Sequence, residues 1–203
     1  MRRAWRMRSV KRLKVLIGCE YSGRVRQAFR DRGHDAWSCD LLPSEDGSPY
    51  HMIRDVIEVA LEGRTWSDDR MGPACPWDIG IFHPPCTHLA VSGARHFAAK
   101  RADGRQQEAI EFFLKLARST RICRPDQIIQ PWQFGHGETK ATCLWLKGLP
   151  HLVPTNIVPG REPRVHLMPP GPDRWKERSR TYEGIAAAMA DQWGDVRQME
   201  IAA

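Results

Sequence analysis

The stretch LKVLIGCEYSGRVRQAFRDRGHDAWSCD, residues 13–40, decides the fold. Residues 13–18 form a short aliphatic run that closes on Gly18, the pattern of a strand buried on both faces. Residues 25–32 set Val25, Ala28 and Phe29 at helical spacing, and Gly33 supplies the residue that ends a helix. Residues 35–39 predict a second strand, closed by Asp40. Strand, glycine-containing turn, helix, strand and acid make one βαβ unit.

The same grammar continues downstream. Residues 78–82 (DIGIF) predict a strand that runs straight into His83-Pro84-Pro85-Cys86. Residues 95–118 read as mostly helical with a break near Gly104, and Ile110, Phe113, Leu114 and Ala117 make an apolar stripe. Residues 141–146 (ATCLWL) predict another buried strand, and residues 159–180, rich in Pro, Gly and charge, predict a long loop. Residues 181–193 predict a closing helix with Ile185, Ala188, Met189 and Trp193 on one side. Strands alternating with helices indicate an α/β class, an open Rossmann-like sheet.

Charge adds less than it first suggests. The 203 residues carry 31 Lys plus Arg against 24 Asp plus Glu, a net +7 that points to a polyanionic partner. Arg2, Arg3, Arg6, Arg8, Lys11 and Arg12 supply +6 of it with no acid among residues 1–12, so residues 13–203 carry only +1. The expected organisation is therefore a disordered basic leader at 1–12, a domain at 13–194 and a tail at 195–203. No apolar run approaches the roughly 18 residues of a spanning helix. The six cysteines form no CxxC pair, which favours reduced thiols in a cytoplasmic setting over a disulfide framework.

In an open α/β sheet the ligand lies at the carboxyl ends of the strands. The first turn there holds Gly18, Cys19, Glu20, Ser22 and Gly23, with two glycines and no G-x-G-x-x-G. A dinucleotide pyrophosphate is poorly served by it. Asp40, at the end of the second strand, is placed to accept the ribose hydroxyls of an adenosine, and Asp55 follows as a contact near the adenine. That combination suits S-adenosylmethionine better than NAD; an ordinary turn with a surface Asp40 is the alternative.

Pro84 and Pro85 hold the chain rigid where the DIGIF strand ends, so that Cys86 projects into the cleft. A cysteine there is either a nucleophile activated by nearby positive charge, for which His83 and His88 are candidates, or a buried free thiol. No metal is expected: a zinc deaminase needs H-x-E with P-C-x-x-C, and position 89 is Leu89.

Taken in order, the turn at residues 18–23, Asp40, Asp55 and Pro84-Pro85-Cys86 resemble motifs I to IV of the C5-cytosine DNA methyltransferases. The likeness is nearest to the short phage- and prophage-encoded members. It extends through GCEYSGRVRQAFRDRGHDAWSCDLLP (18–43), HPPCTHLAVSG (83–93), IIQPWQFGHGETKATCLWLKGLP (128–150) and RSRTYEGIAAAMADQWG (178–194). The resemblance implies an S-adenosylmethionine-dependent methyltransferase fold and methyl transfer to C5 of cytosine in DNA, with Cys86 adding to C6 of a flipped base. Pro84 is expected beside the cofactor and Thr87 and Ser92 beside the substrate; Lys140 either helps to orient the substrate or is a plain surface lysine.

Two departures from the family pattern stand out. The family needs a glutamate in Glu-Asn-Pro or Glu-Asn-Val after the next strand, and no Glu-Asn-Pro occurs in this chain. A strand and catalytic loop of roughly fifteen residues are missing around residues 118–126. Activity is expected to be impaired, and a non-catalytic cofactor- or DNA-binding relic of the same fold is the alternative; a cysteine hydrolase lacks a locatable His–Asp pairing. Glu138, the nearest loop acid, reads as a solvated carboxylate. The chain is also too short for a separate target-recognition domain. DNA contact therefore falls to the loop at 159–180, through Arg161, Arg164, Arg178 and Arg180, with Trp175 available to stack on a base.

Overall fold

The computed structural model describes residues 11–62, 77–116 and 125–195. Strands β1 (Lys14–Gly18), β2 (Asp35–Asp40), β3 (His51–Ile53) and β4 (Ile79–Phe82) form a parallel sheet in the order β3-β2-β1-β4. The chain is thus α/β with a four-stranded parallel sheet, and the strand order reverses between β1 and β4. Gly18 pairs with both Cys39 and Phe82, and Asp40 with Ile53, so the strands end in register along one edge.

Both faces of the sheet are covered, which explains why β1 is apolar without alternation. Val15 and Ile17 pack into one cluster with Val25 and Phe29 of α1 (Arg24–Asp31). Leu16 faces the other cluster with Trp37, Cys39, Met52 and the Val56 and Val59 side chains of α2 (Val56–Glu62). Helix α1 stops as its sequence requires: Gly33 has φ 85, its amide donates to the Arg30 carbonyl (2.8 Å), and the His34 amide donates to that of Phe29 (3.2 Å). This is the Schellman arrangement, which a residue with a Cβ adopts only under strain.

Beyond β4 come α3 (Phe97–Ala102) and α4 (Arg105–Leu116), the strands β5 (Gln127–Ile129) and β6 (Thr142–Leu144), and helices α5 (Arg164–Leu167), α6 (Arg174–Ser179) and α7 (Glu183–Trp193). Helix α7 lies against α1 and brings Ile185, Ala188, Met189 and Trp193 into the first cluster, as the spacing predicts, with Ala186 and Ala190 beside them. Its approach to the neighbouring chain is close: a Cβ on Gly184 would lie 1.8 Å from the Phe134 carbonyl oxygen.

The structure corrects several expectations. The strand expected at 141–146 is the three-residue β6, half-exposed and antiparallel to β5 in a separate two-stranded sheet. β5 itself escapes sequence reading because three residues between Asp126 and Pro131 carry no period. The stripe on α4 is turned outward at Ile110 and Leu114, while Phe112 and Leu116 meet the second cluster. Apolar residues on both sides of that helix leave its facing to the packing partner; Ala117 lies outside the described residues. The loop at 159–180 contains α5 and α6. β3 and α2 are additional elements. Among the described residues, β4 pairs with β1 alone. Most of the basic leader and of the tail lies outside the described residues.

Candidate functional site

The in-register strand ends gather the chemistry-bearing residues on one edge. Cys19 follows β1 in a left-handed conformation, φ 58. Burial, with the charges of Asp40, Cys39 and Asp55 around it, pushes its thiol up to about 12, so the β1 turn and the ends of β2 and β3 share one corner. Asp40 accepts the Leu42 amide (3.0 Å) and Asp55 accepts the Ile57 amide (2.7 Å) at the start of α2, which orients both carboxylates.

The remaining turn residues serve the fold. Glu20 is buried and accepts the amides of Val25 (2.7 Å) and Arg26 (3.2 Å), closing the N-terminus of α1 from inside rather than facing the cleft. Burial pushes its carboxyl up to about 7, against the opposing pull of those amides and of the Arg26 guanidinium. Arg26 is itself fully buried; it donates to Ser38 Oγ (3.0 Å) and pairs with Asp46. Gly23, φ 68, lies under that guanidinium, and a Cβ there would sit 2.3 Å from Nη2. A Cβ on Gly18 would meet Val56 (2.4 Å) and Phe82 (2.5 Å). The two glycines therefore permit internal packing and leave the corner to Cys19, half-buried Ser22 and the carboxylates.

Cys86 stands four residues past the end of β4 and is exposed. Its carbonyl accepts the amides of Leu89 (3.0 Å) and Ala90 (2.8 Å), so the Pro84-Pro85 segment passes at once into a helical turn. Lys100 of α3, buried, donates to the Thr87 carbonyl (2.6 Å), and Gln106 of α4 donates to that of His88 (3.3 Å). The loop is thus held from below by groups that the sequence alone does not single out. Ser92 falls in the 3-10 turn Val91–His96 that follows.

His83 is not the cation of this site. Burial, assisted by the charge of Lys140, pushes its imidazole down to about 4, and its buried Nε2 has no hydrogen-bond partner. Lys140 is a cation within electrostatic reach of both His83 and Cys86. Burial lowers its pKa, with the charge of Cys86 acting in the opposite sense, and Arg178, Arg164 and Glu138 also lie within electrostatic reach. Its ammonium donates to the Arg180 carbonyl (3.1 Å) and stands 5.7 Å from the Tyr182 ring. Glu138 is drawn into the same cluster instead of being solvated: Tyr182 donates to it (2.6 Å) and Arg164 pairs with it (2.9 Å). Burial raises its pKa, but Arg164, Tyr182 and His136 together outweigh it and hold the carboxyl below its ordinary value.

The arginines expected to meet DNA are largely engaged within the chain. Arg164 holds Glu138, Arg180 pairs with Glu45 and Glu177, and Arg161 lies 3.8 Å over the Trp132 ring. Trp175 is exposed and its ring stands 5.9 Å from that of Tyr21 in the β1 turn, so α6 folds back toward that turn. Among the described residues no helix is long and apolar enough to cross a membrane, and no group of three His, Cys, Asp or Glu side chains is placed to hold a metal ion. No family model, curated protein or solved structure matches the chain.

Proposed function

We propose that this chain is a DNA cytosine-5 methyltransferase-like protein in which Cys86 is the nucleophile and S-adenosylmethionine the methyl donor. The observation that carries the reading is positional. An exposed cysteine follows four residues after β4, one strand from the turn where Cys19, Asp40 and Asp55 meet, on the side where the strand order reverses. The corner suits the donor: two oriented carboxylates at adjacent strand ends form an acceptor set for ribose hydroxyls and adenine. When bound, S-adenosylmethionine supplies an electrophilic methyl group.

The chain's own residues account for the rest. The Cys86 sulfur adds to C6 of cytosine, forming the S–C6 bond as the C5–C6 π pair moves onto C5. After C5 has taken up the methyl group, loss of its proton returns the electron pair to the ring and expels the sulfur. The base must leave the stack for this, because its C6 is not accessible to the sulfur within a duplex. Lys100 and Gln106 hold the thiol-bearing turn in place. No Glu-Asn-Pro stabilises the charge developing on the base, and the family glutamate has no counterpart at β4's outer edge among the described residues. Turnover is accordingly slow.

The internal pairing of Arg164 and Arg180 favours a second reading, a cofactor-binding relic without catalysis. Incubation with 5-fluorocytosine DNA and S-adenosylmethionine separates the two. The first reading expects a covalent protein–DNA adduct that Cys86→Ser abolishes. Calorimetric cofactor binding with no adduct leaves the second, and neither binding nor adduct overturns both.

A further inference from the structure

We propose that the exposed surface of residues 94–102 docks the phosphate backbone of a nucleic acid, through Arg95 and Arg101, and so brings it onto the turn that carries Cys86. The surface deepens the reading above, from which it takes the nucleic-acid partner and not the reaction. Residues 83–107 hold Arg95, Lys100, Arg101 and Arg105 against Asp103 alone, a net +3 that leaves −2 for the rest of residues 13–203. Two hydrogen bonds fix this segment to the cysteine turn. Lys100 donates to the Thr87 carbonyl (2.6 Å) and Gln106 to that of His88 (3.3 Å). Pro85, Cys86 and Thr87 are exposed on that turn, as are Arg95 and Arg101 beside it.

These two arginines are open to a partner. Among the described residues neither makes an ion pair; Arg95 donates from Nε to His96 Nε2 (2.9 Å), and its two terminal amino groups remain for an acceptor. Asp103 is already engaged by Arg105 (2.8 Å). The loop at 159–180 carries the same net +3 but turns much of it inward: Arg164 holds Glu138, Arg180 holds Glu45 and Glu177, and Lys176 faces Asp173 (3.2 Å). Alongside Arg95 and Arg101, α3 exposes Ala98, Ala99 and Ala102, side chains short enough to let a bulky polyanion approach the helix. A guanidinium offers a planar fork that takes two phosphate oxygens at once. An amphipathic helix lying on a membrane needs large apolar side chains at its surface, and among the described residues α3 exposes none.

The test is protection of Cys86 from iodoacetamide by a short cytosine-containing DNA duplex on the full chain. Peptide mass spectrometry follows Cys86 and Cys143, the other exposed cysteine among the described residues, and fluorescence anisotropy sets the occupancy. With duplex at about nine times its Kd, alkylation of Cys86 should slow about tenfold and that of Cys143 by less than about twofold. In an Arg95→Gln, Arg101→Gln double variant at the same occupancy, Cys86 should react within about twofold of its unprotected rate, because the +6 of residues 1–12 still holds the DNA elsewhere. Loss of two phosphate contacts should also lower the slope of log K against log salt by about 2. Arg95→Lys with Arg101→Lys should keep the protection, and an unchanged urea midpoint shows that each variant folds. Absent protection, protection that survives both Gln changes, or equal protection by polyglutamate as an acidic-protein stand-in overturns the proposal. Arginine-dependent protection without any fluorocytosine adduct removes the methyltransfer reading and leaves the docking surface standing; an adduct that the Gln variant forms just as fast does the reverse.

Discussion

Glu20 and Arg26 illustrate how single residues underpin the corner at the strand ends without entering it. Glu20 accepts two amides of α1, and Arg26 crosses beneath Gly23 to reach Ser38 and Asp46. Ser38 in turn bonds His51 Nδ1 (2.8 Å), so the turn after β1 and the starts of the next elements share one buried network. The folded-state pKa of Glu20 is about 7 against an ordinary 4.5. Between those values the folded chain keeps a proton that the unfolded chain has lost, so this group's contribution is full below 4.5 and is lost as pH rises through 7. Comparing the unmodified chain with Glu20→Gln by urea unfolding isolates it: the stability difference should shift against the unmodified chain by about 3 kcal/mol across that window and level off above it. A difference flat in pH would sink the assignment. Sequence reading places Glu20 at the cofactor, because a polar residue in a strand-to-helix turn is equally suited to face either way.

At the scale of elements, α7 does for the sheet what its length and spacing suggest. Trp193 is buried, donates from Nε1 to the Pro150 carbonyl (3.0 Å), and closes the cluster shared with β1 and α1. Trp193→Ala should cost about 3–5 kcal/mol, read as a lower urea midpoint, through lost burial and the cavity left behind. A cost below about 1 kcal/mol would mean that α7 is not part of this core. Its boundaries, like those of β1, α1, β2 and β4, are legible in sequence because each is a run with one clear period and a defined stop. Helix α4 and the β5–β6 pair are not. Six apolar side chains spread around α4 allow more than one inward face, and β5 and β6 are three-residue segments whose pairing joins residues far apart in the chain.

For the whole molecule, the net +7 divides into a leader carrying +6 and a remainder carrying +1, and the tertiary structure further engages Arg161, Arg164 and Arg180 internally. Non-specific DNA binding should therefore depend on residues 1–12. Their deletion should reduce the slope of log K against log salt by up to about 5, measured by fluorescence anisotropy on duplex DNA. Neutralising Arg164 and Arg180 should change the slope by less than about 1. An unchanged slope after the deletion would return the electrostatic contact to the body of the protein. The sequence by itself determined the parallel α/β sheet, Asp40 at the end of the second strand and Cys86 just past β4, because period, glycine stops and prolines act locally and survive any tertiary arrangement; β3, which precedes Asp55, came only with the tertiary structure. Only the tertiary structure decided which charges those residues meet. It buried Glu20 and neutralised His83, and it brought Lys140 within electrostatic reach of His83 and Cys86. Burial and through-space charge depend on what packs alongside a residue, which no local pattern encodes.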